Sequence, residues 1–281
     1  MEKICDLHAH STYSDGTCTP EQLSAAAQAA GLSALVLSDH NTVAGLPSFL
    51  EAAADSGIEA VPGIEFSTEY LGTELHILAL YVEPAHYEEI NTLLEQFLQR
   101  KDKSNYDLIQ RLAQAGIKLD YDKIKQESAG SINRAVIGAE MVRLGYCESV
   151  KQAFSDWLSP KKGFYIPPVR PDAFETIAFI KSLGAAAILA HPFLNLDEAE
   201  LRVFLQKAKP VGLDGMEVYY STYDAETTAL AEQIADEYGL LRSGGSDFHG
   251  GNKPDIQLGI GRGNLVIPLS LLEKIGQVRK K

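Results

Sequence analysis

Short apolar segments alternate with amphipathic segments over both ends of the chain. Seven segments have the composition and length of β-strands: KICDLHA, ALVLSDH, EAVPGIEFS, ELHILALYV, AAILAHPF, GMEVYY and LRSGGSDFHG. Helical patterns lie between most of them. In TPEQLSAAAQAAGL, for example, Thr19 is a typical N-cap, Pro20 suits the first turn and Gly31 follows the end. This alternation predicts a parallel sheet with helices outside it, and about seven strands favour closure into a barrel over an open sheet.

One strand segment contains residues that disfavour strands. Pro62 and Gly63 fall inside EAVPGIEFS, and proline supplies no backbone N–H for strand pairing. We therefore expect the third strand to be short or bent.

The middle of the chain lacks convincing strands. Apolar residues recur at helical spacing from Ile90 to Leu112, and INRAVIGAEMVRLGY and SVKQAFSDWLSPKKG indicate further helices. The proline-rich segment YIPPVRP is typical of a return to the main fold. We therefore assign residues 1–99 and 169–281 to a barrel domain and residues 100–168 to a helical insertion that caps it.

The overall charge and the cysteines limit the classes of partner and the compartment. The chain of 281 residues carries a formal net charge of −13, from 25 basic and 38 acidic residues. An acidic surface repels duplex DNA and anionic membranes, so we expect neither as a partner. Cys5, Cys18 and Cys147 have no disulfide or zinc-knuckle spacing, which favours a reducing compartment. The sequence shows no signal-peptide pattern and no apolar run near the ~20 residues of a membrane helix, so we expect a cytoplasmic protein.

The first strand segment carries two histidines on one face. Side chains alternate between the faces of a strand, so Asp6, His8 and His10 point the same way. A same-face histidine pair is able to hold one metal ion, and Asp6 could orient an imidazole from behind. A polar pair in a turn remains the alternative for this motif alone.

The same kind of residue recurs at the other strands. Six of the seven histidines fall on or at the end of a predicted strand: His8, His10, His40, His76, His191 and His249. Glu65 and Asp247 also fall near strand ends, whereas His86 lies in the loop EPAHYEE. Parallel α/β folds carry their sites at the carboxyl ends of strands. Ligands spread over the whole chain exclude a zinc finger and predict a polynuclear centre of Mn²⁺, Fe²⁺ or Zn²⁺.

These motifs, in this order, resemble a known family. DLHAHSTYSDGTCTPEQL, LSDHNTVAG, GIEFS, ELHILALY, ILAHP and GGSDFHG are similar to the motifs of the PHP (polymerase and histidinol phosphatase) superfamily. The resemblance implies an α/β fold, a distorted (β/α)7 barrel, with a trinuclear metal site. The helical insertion is similar to that of the stand-alone metal-dependent phosphoesterases of the superfamily.

The resemblance also implies nine ligands for three divalent metal ions. It places His8, His10 and Asp247 on one ion, His76 and His191 on a second with Glu65 bridging these two, and Asp15, His40 and His249 on a third. Asp15 lies in a Ser-Asp-Gly segment, so a plain turn is the alternative for that residue.

The implied activity is hydrolysis of a phosphate monoester by attack of a metal-bridging hydroxide on phosphorus. The expected substrate is a small phosphorylated metabolite, with a nucleotide favoured, such as a nucleoside monophosphate or a 3′,5′-bisphosphate. Arg134 occupies a position at which related phosphoesterases present an arginine to phosphate, and an exposed arginine at a helix start is the alternative. Lys161 and its neighbour Lys162 are candidates for contact with a second phosphate, and a solvated charge pair is the alternative.

Other functions stay open at this point. A 5′→3′ exonuclease acting on short oligonucleotides and a histidinol-phosphate phosphatase belong to the same reaction class. An amidohydrolase-type C–N hydrolase also begins with an H-x-H motif in a barrel, but it usually bridges its metals with a modified lysine at a strand end. Glu65 fills the bridging position here. A metal-holding domain without activity is disfavoured because all nine ligand types are present.

Overall fold

Seven strands lie side by side in chain order. The computed structural model describes residues 3–54, 56–127 and 132–279. Within them the strands are β1 (Cys5–Ala9), β2 (Ala34–Leu37), β3 (Glu59–Tyr70), β4 (Thr73–Leu80), β5 (Ala186–Leu189), β6 (Gly215–Tyr220) and β7 (Leu241–Gly245). The backbone just after β7 pairs with β1, since Asp247 N–H donates to the His8 carbonyl over 2.9 Å. The sheet therefore nearly closes, and the predicted barrel class is confirmed.

The prediction of a parallel sheet is wrong for β4. Strands β1 to β3 and β5 to β7 pair in parallel, but β4 runs antiparallel to both β3 and β5. The cause is the connection between β3 and β4, which consists of Leu71 and Gly72 alone. Both have positive φ (51° and 83°), as in the tight turn of an antiparallel hairpin. Parallel neighbours need a much longer crossover.

Of the two expectations for the third strand, short or bent, the first is wrong, because β3 has 12 residues. Pro62 forms the last parallel pair with β2, and the antiparallel pairing with β4 begins at Gly63. The proline thus lies at the point where the pairing of β3 with β2 ends and its pairing with β4 begins. At this position the missing N–H of the proline interrupts neither the β2–β3 nor the β3–β4 hydrogen bonds.

Ten α-helices cover the sheet or form the middle of the chain, counted over the described residues. They are α1 (Pro20–Ala29), α2 (Leu46–Ala53), α3 (Tyr87–Gln114), α4 (Tyr121–Glu127), α5 (Arg134–Arg143), α6 (Val150–Ala153), α7 (Ala173–Ser182), α8 (Glu198–Val211), α9 (Ala225–Glu237) and α10 (Leu269–Gly276). The predicted N-cap of α1 is confirmed, because the Thr19 side chain accepts a hydrogen bond from Gln22 N–H. In the part of the chain that the structure describes, no helix combines the length and apolar character needed to cross a bilayer.

Helix α3 packs into two different cores. Its first half contributes Ile90, Leu94 and Phe97 to the large apolar cluster between the sheet and its helices. Its second half contributes Leu108 and Leu112, among others, to a separate cluster with α4, α5 and α6. The domain division at residue 100 stays a prediction, and this change of packing partner along α3 supports it.

Strand β7 passes β1 at very close range. A Cβ atom on Gly245 would lie 2.2 Å from the His8 Cβ and 2.6 Å from the His8 backbone nitrogen. Only glycine permits this approach, which brings the end of β7 beside His8.

We predict that Gly245→Ala lowers the free energy of unfolding by about 1–3 kcal/mol, because the added methyl group forces β7 away from β1. Urea denaturation measures this loss. Gly251→Ala is the matched control, since its Cβ would meet Thr17 at an ordinary 3.7 Å. Equal stability of the Gly245→Ala protein and the wild type would contradict the tight closure.

Candidate metal centre

The structure brings all nine predicted ligand residues to one end of the barrel. His8 and Glu65 lie within strands β1 and β3, and His76 lies in β4. The remaining six lie in the segments that follow strands: His10, Asp15, His40, His191, Asp247 and His249. These polar side chains are buried or nearly so, as expected for groups at the carboxyl ends of barrel strands.

Glu65 lies at the middle of this cluster with none of its side chain exposed. Its two carboxylate oxygens face different imidazoles. Oε1 is 2.8 Å from His76 Nδ1 and 3.0 Å from His191 Nε2, whereas Oε2 is 2.8 Å from His40 Nδ1 and 3.3 Å from Nε2 of both His8 and His10. One carboxylate thus lies between two groups of histidines, and the imidazole nearest to Oε2 is that of His40, which the family resemblance assigns to the third ion.

A third group forms around Asp15. Its Oδ1 lies 3.2 Å from His249 Nε2 and 3.7 Å from His10 Nδ1, and its Oδ2 lies 3.8 Å from His40 Nε2. The Ser-Asp-Gly segment does form a turn, so the turn and the ligand interpretations of Asp15 are compatible.

Unpartnered buried atoms show that this donor set fits a cation. Glu65 Oε2 and His40 Nδ1 are 2.8 Å apart, yet neither has a hydrogen-bond partner among the described residues. His8 Nε2 and His10 Nε2 face each other over 3.0 Å. Nitrogen ligands about 2.1 Å from one ion and at right angles to each other are separated by about this distance. Imidazole and carboxylate donors suit Mn²⁺, Fe²⁺ and Zn²⁺.

The cluster has strongly coupled charges. Burial raises the pKa of Glu65, but the surrounding imidazoles outweigh burial and hold that pKa well below its usual value. Burial opposes charge on His10 and His76, but the neighbouring carboxylates raise their pKa to about 9 and about 10. Burial lowers the pKa of His40 to about 4. Charges on the imidazoles and on Glu65 thus favour each other, and a metal ion bound among these ligands would compete with the protons of the imidazoles.

Strained backbone holds two of the ligands. His191 and Asp247 have φ of 28° and 54°, a region that costs a residue other than glycine about 1–3 kcal/mol. Backbone hydrogen bonds fix both residues: His191 N–H donates to Glu217 Oε2 over 2.7 Å, and Asp247 N–H donates to the His8 carbonyl. The surrounding fold therefore determines where these side chains point.

The suggestion that Asp6 orients an imidazole is wrong. Asp6 accepts hydrogen bonds from Ser246 N–H and Oγ and from Gly259 N–H, so it ties β1 to the segment after β7. Glu217 of β6 takes the orienting role. Its Oε1 lies 2.9 Å from His8 Nδ1 and accepts a hydrogen bond from the Nδ1–H of that imidazole. This contact leaves His8 Nε2 free to bind a metal ion.

Sequence reasoning missed Glu217, and it also missed the partners of Asp247. Tyr220 and Lys253 each donate to Asp247 Oδ2 over 2.6 Å, while Oδ1 faces His10 Nε2 at 3.2 Å. The only signal for Glu217 was a charged residue inside the apolar strand GMEVYY.

A cavity of about 250 Å³ lies over the cluster. His40, His76 and His191 line it, together with Arg134 and Lys253.

Of the predicted phosphate contacts, only Arg134 lies at this cavity. Arg134 is the first residue of α5 and has 22% of its side chain exposed; its guanidinium carbon lies 4.4 Å from the centre of the Tyr165 ring. Lys161 lies on an exposed 3₁₀ turn and is not among the residues that line the cavity.

Comparisons with known proteins agree with this site. A family model described as the PHP domain matches residues 6–166. A 5′-3′ exoribonuclease of Haemophilus influenzae is 33% identical over 89% of this chain and 91% of its own length. A 3′,5′-nucleoside bisphosphate phosphatase of Chromobacterium violaceum is 27% identical over 87% and 86%. The solved structure of a Bifidobacterium adolescentis protein described as a metal-dependent phosphoesterase superposes with a TM-score of 0.87 at 28% identity, over 99% of this chain and 97% of that one. The chain therefore belongs to the PHP domain family and is a metal-dependent hydrolase of phosphoric esters.

Proposed function

We propose that the protein is a phosphatase that removes a phosphate group from a small phosphorylated metabolite, with a nucleotide favoured. One observation carries this proposal. Imidazole and carboxylate groups converge on Glu65 at a cavity whose walls also carry two cations, Arg134 and Lys253. A phosphate in that cavity is attracted from two sides, and a guanidinium suits bidentate phosphate contact. The 3′,5′-nucleoside bisphosphate phosphatase among the relatives supports a nucleotide substrate.

The residues present fit three divalent ions, Mn²⁺, Fe²⁺ or Zn²⁺, held as the family resemblance implies. His8, His10 and Asp247 would hold one, His76 and His191 a second, and Asp15, His40 and His249 a third, with Glu65 between the first two. When bound, such ions supply the Lewis acidity that polarises a phosphate ester and favours ionisation of water.

The chain's own groups orient the substrate and the ligands. Arg134 would contact the non-bridging oxygens of the phosphate, and the Tyr165 ring beneath its guanidinium limits its orientations. Glu217 fixes the proton of His8 on Nδ1, and Tyr220 and Lys253 fix the carboxylate of Asp247. The net charge of −13 makes duplex DNA and anionic membranes unfavourable partners.

A second candidate is 5′→3′ exonuclease activity on short oligonucleotides. The relative that is 33% identical over most of this chain is named a 5′-3′ exoribonuclease, which favours this candidate specifically. The two candidates share the metal centre and differ in what extends from the reacting phosphate.

A substrate panel tests the proposal. We expect the metal-loaded protein to release inorganic phosphate from nucleoside monophosphates or 3′,5′-bisphosphates with a higher kcat/KM than nucleotides from a short RNA. Histidinol phosphate belongs in the panel as a non-nucleotide ester. Faster release of nucleotides from the RNA would favour the exonuclease and contradict the phosphatase.

We predict that His8→Ala removes bound metal and lowers kcat by several orders of magnitude, because His8 lies between Glu65, Asp247 and Glu217. Metal analysis of the purified protein and phosphate release measure the two effects. His86→Ala is the matched control, because His86 lies outside the cluster at the start of α3. Full turnover by His8→Ala protein that contains no metal would discard the proposed site.

We predict that Arg134→Ala raises KM about tenfold or more, as expected for loss of a charged hydrogen bond, and leaves the metal content unchanged. Arg143→Ala removes an arginine from the other end of the same helix, where it pairs with Glu140 on the surface. It should leave KM unaltered. An unchanged KM in the Arg134→Ala protein would remove this residue from the phosphate site.

A further inference from the structure

A second carboxylate lies beside the candidate ligand His76, on the side of the imidazole away from Glu65. Glu74 and His76 are two residues apart on β4, so their side chains leave the same face of the strand. Glu65 Oε1 lies 2.8 Å from His76 Nδ1, whereas Glu74 Oε1 lies 3.4 Å from His76 Nε2. Each nitrogen of this imidazole therefore faces a different carboxylate.

The position of His191 shows which of these nitrogens is placed to bind a metal ion. His191 shares the second ion with His76 in the proposed assignment, and its Nε2 lies 3.0 Å from Glu65 Oε1. His76 Nδ1 and His191 Nε2 thus converge on one carboxylate oxygen. An imidazole that binds a metal ion through Nδ1 keeps its proton on Nε2, and that N–H has Glu74 Oε1 as its acceptor.

Arg170 holds Glu74 from the opposite side. Its guanidinium lies 2.7 Å from Glu74 Oε2, and only 7% of its side chain is exposed. Arg134 is farther from the same oxygen, at 3.8 Å, so Arg170 is the main partner of this carboxylate. A charge-assisted hydrogen bond on Oε2 restricts the carboxylate and leaves Oε1 for His76.

The backbone places Arg170 where this contact requires it. The carbonyl of Pro171 accepts a hydrogen bond from Glu69 N–H over 2.9 Å, and Glu69 pairs with Glu74 across the β3–β4 hairpin. The segment that returns from the helical region to the barrel is therefore attached beside the strand that carries His76.

The same arrangement is found at His8. There Nε2 lies 3.3 Å from Glu65 Oε2, and Nδ1 donates to Glu217 on the other side of the ring. Two histidines that face Glu65 with one nitrogen thus each have a further carboxylate at the other nitrogen. Glu217 is buried, whereas 30% of the Glu74 side chain is exposed at a cavity wall, so Glu74 depends on Arg170 for a fixed orientation.

We propose that Glu74 is a positioning residue for the metal ligand His76, and that Arg170 holds Glu74 in that role. Glu74 accepts the Nε2–H of His76, fixes the plane of the ring and leaves Nδ1 directed toward Glu65, where the metal ion binds. Removal of such a partner typically lowers metal affinity or activity about 10–100-fold. The inference rests on the proposed metal site but not on the identity of the phosphate ester.

Calorimetric titration of the chelator-treated, full-length protein with Mn²⁺ measures this effect without turnover. We expect Glu74→Leu to weaken the binding of at least one ion about 10–100-fold relative to the wild type. Glu74→Gln should give a smaller loss, because its amide oxygen still accepts a hydrogen bond but carries no charge. Wild-type affinity for every ion in either variant would overturn the proposal.

The matched control is Glu69→Leu, which removes the same charge from the residue that pairs with Glu74 on the neighbouring strand. The Glu69 carboxylate takes part in none of the contacts to His76 or Arg170 described above. This variant should retain the wild-type affinities for Mn²⁺. A loss similar to that of Glu74→Leu would show that charge alone, and not contact with His76, accounts for the effect, and the proposal would fail.

A double-mutant cycle tests the part assigned to Arg170. Arg170→Met should weaken Mn²⁺ binding when Glu74 is present and should have no further effect in the Glu74→Leu protein, because it acts through that carboxylate. Losses that add in the double variant would remove Arg170 from this role.

Nitrogen-15 NMR of the Zn²⁺-loaded protein separates positioning from a general loss of stability. The wild type should show His76 with a protonated Nε2 and a metal-bound Nδ1, and binding through Nε2 would overturn the proposal. A wild type that binds no divalent ion would contradict the metal centre as well. Metal binding that is normal in the wild type and unaltered in the Glu74 variants would contradict this inference alone.

Discussion

The structure depends on the burial of one carboxylate. Glu65 has no exposed side-chain surface, and an ionised carboxylate taken from water costs several kcal/mol unless cations surround it. Strands and loops from both ends of the chain supply imidazoles to this point, and no short segment could do so alone. If all three divalent ions bind, they contribute +6 against −3 from Glu65, Asp15 and Asp247. The excess positive charge then attracts a phosphate at short range although the whole chain is acidic.

A layer of groups behind the ligands fixes their geometry. Glu217 connects His8 to the backbone of His191, and Asp6 connects β1 to the segment after β7. The positive φ values at His191 and Asp247 are unfavourable locally, so the packed barrel must compensate for them. This explains why the close contact at Gly245 matters for the site as well as the fold, since it places β7 and its following segment beside His8.

Much of the fold could be predicted because it follows local rules, whereas the full set of nine ligands came from the family resemblance and stays a prediction. Strand alternation and strand ends locate His8, His10 and His40 without any knowledge of tertiary contacts. The orienting role of Glu217 could not be predicted in the same way. Asp6 and Glu217 are both acids inside apolar strands, and which of them reaches an imidazole depends on how β6 and β7 pack beside β1. The reversed β4 was missed because Leu71 and Gly72 are a less typical hairpin pair than Asn-Gly.

Lys101 shows a different limit of sequence reasoning. In the charged segment QRKDKS it looks like an ordinary solvated residue. Only the packing of α3 against the barrel places its side chain at the wall of a cavity. A cluster of metal ions attracts any phosphate, because its charge acts on the group common to all such esters. Discrimination among esters must therefore come from side chains farther from the reacting phosphorus. In this chain Lys101 and Arg134 come from α3 and α5. The candidate metal ligands thus lie on the strands and the segments that follow them, whereas Arg134, which lines the cavity over them, lies on α5.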